Sequence, residues 1–259
     1  MLVTLLTDFG TRDYFVGAMK GALLAVNPRA VVVDLTHEIA AHDVHEGAFT
    51  LLAAYSAFPA GTVHVAVVDP GVGSARRALA VAAGAHLFVG PDNGLFSYVC
   101  ERERDVRAFQ LTNESFFRPA VSRTFHGRDI FAPVAGALSQ GVAPEELGPV
   151  IADYVRLAPL APARAADGTL LATVIHIDRF GNCVTNITRA DLDEAAIARG
   201  AWLQVGAHRV NSFRRFFAEG HEGEVFALWG SAGFLEIAAA QASAAGLLGI
   251  ARGAQVQVR

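Results

Sequence analysis

Asp69 and Arg76 lie within TVHVAVVDPGVGSARR (residues 62–77), separated by a Pro-Gly-x-Gly turn and followed by a second cation, Arg77. The apolar, β-branched run ahead of them reads as a strand that stops at a carboxylate. Ligands in open α/β sheets sit at the carboxyl ends of strands, and glycines there let backbone approach a substrate closely. A carboxylate and a guanidinium across so tight a turn can face one small cavity and hold a polar nucleophile. His126, in TFHGRDIFAP, lies at another strand-to-helix junction. With an ordinary pKa near 6.5, imidazole is the natural proton acceptor at neutral pH. Asp8 ends the first strand in LLTDFGTRD, where a carboxylate can accept both hydrogen bonds of a vicinal diol such as a ribose. These residues suit a hydrolytic or group-transfer site beside a sugar-binding carboxylate.

Other candidates have plainer readings beside them. Asp13 is placed to cap the helix that follows it. In GPDNG, residues 90–94, Asp92 or Asn93 reads as a helix cap, and Arg128 and Asp129 read as a structural pair. The histidines of DLTHEIAAHDVHEG could be metal ligands, but HEIAAH misses the HExxH spacing by one residue. No metal is expected. In IDRFGNCVTN, residues 177–186, Asp178 and Asn182 could hold an ammonium group and a purine edge, or simply shape a β-turn. Phe180 and Phe217 could stack on a planar base or serve as core.

The elements that must position these groups fall into two textures. Strands are expected over 2–6, 30–35, 62–68, 78–82, 86–89 and 106–111, and helices over 13–26, 43–57, 93–103 and 128–140. That alternation predicts an α/β fold whose mainly parallel sheet carries flanking helices. Residues 142–168, with Pro144, Pro149, Pro159 and Pro162, read as a linker or irregular connection. Short strands then dominate at 169–177, 183–187, 201–205, 208–212, 223–228, 234–238 and 255–259, predicting a smaller β-rich domain. The expected domains are therefore 1–160 and 168–259.

Composition narrows the function. The chain has 259 residues, 53% of them hydrophobic, and a formal net charge of −4, which argues against nucleic acid as a partner. Cys100 and Cys183 lack metal or redox spacing and are expected as free thiols. Asp8 interrupts the apolar start, and Glu236 and Gln241 break the Ala-rich stretch at 235–251, so neither a signal peptide nor a membrane span is expected. A cytoplasmic protein follows. GxSxG, GxxxxGK[ST] and GxGxxG motifs are absent.

Taken in order, TDFGTRDYFVGAMKG, DPGVGSARR, GPDNG, TFHGRDIFAP and IDRFGN resemble the S-adenosyl-L-methionine hydroxide adenosyltransferase family, hydrolases related to the nucleoside fluorinases and chlorinases. The resemblance implies a C-terminal β-barrel-like domain and a homotrimer with active sites at subunit interfaces. It implies S-adenosyl-L-methionine as substrate and no cofactor. Matched by motif, the water-activating trio falls on Asp69, Arg76 and His126, and the ribose-binding carboxylate on Asp8. Asp178 matches the group near the methionine ammonium and Asn182 the group near adenine, with Asp13 assisting at the methionine end. Residues 229–232 read WGSA where relatives often carry an Asn-Ser pair. Ser231 is left to meet the methionine carboxylate, and Ala232 supplies no cation where halogenases carry arginine. His42 stands where halogenases have an aromatic residue.

The expected reaction is in-line displacement at the ribose C5′ by water or hydroxide, giving adenosine and L-methionine. Water must be oriented and relieved of a proton, whereas a halide needs mainly desolvation. Asp, Arg and His at the trio positions favour water. So do the mere twelve residues between Arg77 and Gly90, which leave no room for the halogenases' inserted loop. The rival readings are a halide-dependent nucleoside synthase, a metal-dependent phosphohydrolase using Asp8, Asp13 and His37/His42/His45, and a sensor that binds an adenosyl ligand without turnover.

Overall fold

A computed structural model describes residues 1–259 and divides into two compact units, Met1–Pro159 and Leu160–Arg259. The first unit runs β1 (Leu2–Thr7), α1 (Phe15–Val26), β2 (Val31–Thr36), α2 (Val44–Ala54), β3 (Val63–Val67), β4 (Ala78–Ala83), β5 (His86–Pro91), α3 (Ser97–Arg102), β6 (Arg107–Gln110), α4 (Ala132–Leu138) and β7 (Val150–Ile151). Its sheet has the order β2-β1-β3-β5-β4-β6-β7, parallel from β2 to β5 and antiparallel beyond. The four parallel strands all end on one edge. Because β4 runs against β5, with Ala78 opposite Pro91, its first residues lie on that same edge. Asp8, Asp69, Arg76, Arg77 and Asp92 are thereby gathered by topology. Val3, Leu5, Val65 and Phe109 of the sheet pack with Met19 and Leu23 of α1 and with Phe131 and Val134 around α4.

Three expectations are corrected here. The helix expected over 93–103 starts only at Ser97, after Phe96, and no side chain caps it. Asp92 and Asn93 are spent on other contacts, described below. Likewise α1 starts at Phe15 after Tyr14 with no side-chain cap, so Asp13 does not cap it. Residues 150–157, expected within the irregular connection, are fastened to the first unit. β7 pairs with β6, and the backbone N–H groups of Val155 and Leu157 donate to Asp92 and Ser97.

The second unit runs β8 (Ala163–Arg164), β9 (Leu170–Ile177), β10 (Cys183–Thr188), α5 (Glu194–Ala198), β11 (Leu203–Val205), β12 (His208–Val210), β13 (Val225–Trp229), β14 (Phe234–Ala239), α6 (Ala244–Leu248) and β15 (Gln255–Val258). All its ladders are antiparallel, in the order β12-β11-β15-β9-β10-β14-β13. Past β12 the chain reaches the far edge of the sheet. Ala227 of β13 donates to Ser212 and accepts from Arg214, which nearly closes the sheet into a barrel. Val174, Cys183, Leu203, Ile237 and Val256 fill its interior. The helices α5 and α6 interrupt what reads from sequence as an all-strand unit, capped at Asp193 and Ser243.

One buried group makes the first unit sensitive to acid. His64, the second residue of β3, is fully buried; its Nδ1 lies 2.7 Å from Thr4 Oγ1 and its Nε2 3.2 Å from His86 Nδ1. Burial, with a smaller contribution from His86, pushes its pKa from 6.5 down to about 3. The folded state resists a proton that the unfolded chain accepts. Stability is therefore full above about pH 6.5 and is lost as pH falls toward 3, by up to about 1.4 kcal/mol per pH unit. Chemical denaturation between pH 7 and 4 should show this slope, shallower in His64→Gln; an unchanged slope would reject His64 as its source.

Candidate active site at the carboxyl edge of the first sheet

Asp69 follows β3 by two residues, and Arg76 precedes β4 by two. Arg76 Nε donates to both Asp69 oxygens, at 3.0 and 3.1 Å, and Nη2 donates to Oδ2 as well, closing a fork around the carboxylate. Nη2 also contacts His126 Nδ1 at 2.8 Å, so Asp69, Arg76 and His126 form one hydrogen-bonded chain. Arg76 Nη1 donates to the Arg77 carbonyl at 3.3 Å, and the guanidinium lies 5.3 Å from the centre of the buried Phe131 ring. The Asp69 and Arg76 side chains are only 4% and 10% exposed, which strengthens the charge pairing relative to bulk water. Burial, then the Arg76 charge, pushes the His126 pKa below its ordinary value.

Two neighbouring loops brace this chain. Asn93 Nδ2 donates to the carbonyl of Val68, the residue just before Asp69. Asp92, nearly buried, accepts from Arg77 Nε at 2.8 Å and from the Val155 N–H at 2.8 Å, while its own N–H donates to the Arg77 carbonyl. Arg77 is further tied to Asp153. The GPDNG loop thus grips the chain on both sides of the Asp69–Arg76 turn. Sequence reasoning missed this role, because Asp and Asn after a strand fit a helix cap equally well. The signal was Arg77, a cation adjacent to Arg76 that needed a carboxylate of its own. On the other side Gly73, at φ 77°, packs directly against the Arg123 backbone, which leads into His126.

Asp8 lies on the adjacent strand end, since Thr7 pairs with Val67 across β1 and β3. Its side chain is 8% exposed, and Oδ2 accepts the His42 N–H at 2.8 Å while Oδ1 bonds to no protein donor. His42 takes a positive φ of 68° to make that contact. Asp13 is exposed, ahead of α1. The three histidines considered as ligands have separate surroundings. His37 contacts Thr7 and Asp34, His42 is exposed near Asp8, and His45 contacts Tyr98. No group of three His, Cys, Asp or Glu side chains converges anywhere in the chain.

In the second unit, Asp178 and Asn182 form the β9–β10 turn. Asp178 Oδ1 accepts the N–H groups of Phe180 and Asn182, and Oδ2 accepts from Asn182 Nδ2 at 2.9 Å. The turn reading is thus satisfied locally, and Asn182 Oδ1 is left unused by it. Phe180, 76% exposed, Asn182 and Phe217 line a cavity of about 800 Å³ together with residues 239–243. A planar base could stack there. Ser231 is exposed in the turn between β13 and β14. Burial, then the charge of Asp178, pushes the Glu236 carboxyl above its ordinary pKa. Asp178, in the β9–β10 turn, and Glu236, on β14, are thus close enough for one charge to act on the other, which the sequence did not announce.

Models of the SAM hydroxide adenosyltransferase N-terminal and C-terminal domains match residues 3–148 and 172–257. The chain belongs to the SAM hydroxide adenosyltransferase family. Within it, a Thermus thermophilus protein named (R)-S-adenosyl-L-methionine hydrolase is 40% identical, with 99% of this chain and 98% of that relative covered. A Nocardia brasiliensis fluorinase is 28% identical over 100% of this chain and 96% of its own. The crystal structure of an uncharacterized conserved protein from Thermotoga maritima superposes with a TM-score of 0.91 at 31% identity, covering 100% of this chain and 99% of that one. The expected fold class, an α/β unit followed by a barrel-like one, is what this family member has.

Proposed function

We infer that this enzyme hydrolyses S-adenosyl-L-methionine to adenosine and L-methionine, by in-line attack of an activated water or hydroxide on the ribose C5′. The observation that carries the reading is the hydrogen-bonded chain of Asp69, Arg76 and His126 at a ligand-binding sheet edge, in a chain 36–40% identical to curated hydrolases. Fluorinases are more distant, at 26–29%. Catalysis falls to Asp69, Arg76 and His126. The leaving group is a neutral thioether departing a sulfonium, so no general acid is required. The hard part is the nucleophile, because bulk water has a pKa of about 15.7. A guanidinium about 4 Å from the oxygen favours hydroxide character by roughly 4 kcal/mol at an effective dielectric of 20.

Asp8 is assigned to the ribose diol, Asp13 and Asp178 to the methionine ammonium, Asn182 to the adenine edge, Phe180 and Phe217 to the base faces, and Ser231 to the methionine carboxylate. We assign the first domain, 1–160, the chemistry and ribose contact, and the second, 168–259, the adenine and methionine contacts. No cofactor is needed for this displacement. No helix is long and apolar enough to cross a membrane, and a cytoplasmic homotrimer whose subunits complete one another's sites is proposed on family resemblance.

Incubation with S-adenosylmethionine in ¹⁸O-water tests the reaction. Adenosine labelled at the 5′ oxygen is expected, and a 5′-halo product dependent on chloride or fluoride would replace this reading with the synthase. Tight ligand without methionine release would mark a sensor, and loss of activity on chelation a metal enzyme. Asp8→Ala is expected to weaken adenosine binding by about tenfold to a hundredfold, as two hydroxyl hydrogen bonds to a charged acceptor are lost. Unchanged affinity by calorimetry would remove Asp8 from the ribose site. For the trimer, co-expressed Asp69→Ala and Asp178→Ala chains should regain part of the activity that each lacks alone; no regain would reject shared sites.

A further inference from the structure

Hydrogen-bond accounting in the trio assigns its protons. A guanidinium has five N–H donors and no acceptor. The 2.8 Å contact from Arg76 Nη2 to His126 Nδ1 therefore requires a lone pair on Nδ1. A neutral imidazole carries one lone-pair nitrogen and one N–H, and the partner of one nitrogen sets the state of the other. The proton of His126 accordingly sits on Nε2. Burial and the adjacent Arg76 charge both favour the neutral ring. In that state the ring has no lone pair left with which to take a proton. Arg76 cannot take one either. Its Nε, both Nη2 hydrogens and one Nη1 hydrogen are engaged, and a single Nη1 N–H remains to donate. Asp69 differs. An ionised carboxylate offers about four lone-pair sites, and Arg76 occupies three of them, one on Oδ1 and two on Oδ2.

We propose that His126 serves the attacking water as a hydrogen-bond donor through Nε2–H, and that the Asp69 carboxylate receives the water's proton. This rests on the hydrolase reading above. As the O–C5′ bond forms, the C5′–S bond breaks and its electron pair goes to sulfur, leaving neutral methionine thioether. The attacking water grows more acidic as its bond to C5′ forms, and its proton passes to Asp69 in the same step, so the oxygen gains hydroxide character beside Arg76. A carboxylate suffices to accept its proton, even one paired with arginine, and releases it later to solvent. His126 Nε2–H donates to one lone pair of the oxygen, which leaves the other to attack carbon with one O–H aimed at Asp69, and the spare Arg76 Nη1–H meets the lone pair freed as that proton leaves.

The test has a spectroscopic arm and a kinetic one. In ¹⁵N-labelled enzyme, with His126 assigned by its absence in His126→Asn, long-range ring correlations should show a neutral Nε2–H tautomer at about pH 7. An Nδ1–H tautomer or an imidazolium there would overturn the proposal. In the kinetic arm, His126→Gln keeps a donor near the Nε2 position but no proton acceptor of comparable basicity. Its kcat should fall by about tenfold or less, whereas His126→Ala, which lacks the donor, should lose on the order of 10²–10³. Equal losses in the two variants would restore His126 as the base, whose removal costs about 10²–10⁴. Wild-type enzyme that forms no adenosine would instead refute the hydrolase reading, and the tautomer would still be decided by the spectrum.

Discussion

Arg76→Ala is expected to lower kcat for S-adenosylmethionine by about 10³-fold, with KM changed only slightly. The figure follows from the roughly 4 kcal/mol by which a guanidinium at about 4 Å favours hydroxide character, at 1.36 kcal/mol per factor of ten. Arg76 is also the joint of the trio, since Asp69 and His126 each bond to it and no bond runs between them. Removing it leaves the Asp69 carboxylate buried without its partner, so the variant should also unfold at lower temperature. Single-turnover rates on protein shown by circular dichroism to be folded separate the two effects. A folded variant with kcat within threefold of wild type would take Arg76 out of the chemistry.

Gly73→Ala should be the most damaging change among residues that touch no substrate. At φ 77° an alanine pays about 1–2 kcal/mol for the left-handed backbone. Its Cβ would also overlap the Arg123 carbonyl, which is backbone and cannot swing aside. The turn that carries Asp69 and Arg76 must then move away from the segment leading into His126. A displacement near 1 Å at a catalytic group can cost on the order of 10²-fold in rate. Loss of both thermal stability and kcat is therefore expected. Gly71→Ala, two residues earlier, is the control: its nearest atoms lie at an ordinary 3.5 Å and its φ is not positive. Its kcat should stay within about twofold, in line with substitutions that meet no special constraint. Equal effects from both substitutions would reject the close approach at Gly73 as the cause.

Much of the candidate site was legible before any fold was known. Strand-then-carboxylate patterns located Asp8 and Asp69, because an apolar β-branched run can end at a charge only where the sheet edge meets solvent or a ligand. The glycines of DPGVG announced a close approach, though only the fold showed that Gly73 meets the Arg123 backbone. Local readings failed where one residue type serves two jobs. Asp92, Asn93 and Asp13 all resembled helix caps, yet none caps a helix. Asp92 and Asn93 make hydrogen bonds to residues 15, 25 and 63 positions away in the chain, which no local pattern encodes.

Residue types and their spacing determined the two textures of the chain, the strand ends that carry carboxylates, and the family to which it belongs. They did so because periodicity and turn chemistry are local properties, and five motifs in order carry their own identity. Tertiary structure alone decided that Arg76 stands between Asp69 and His126, that the GPDNG loop braces their turn, and that Nδ1 of His126 faces a donor. Those facts depend on strand order and on contacts up to fifty residues apart. Which side chain can hold a proton is set by what surrounds it in space, and the order of residues along the chain does not contain that.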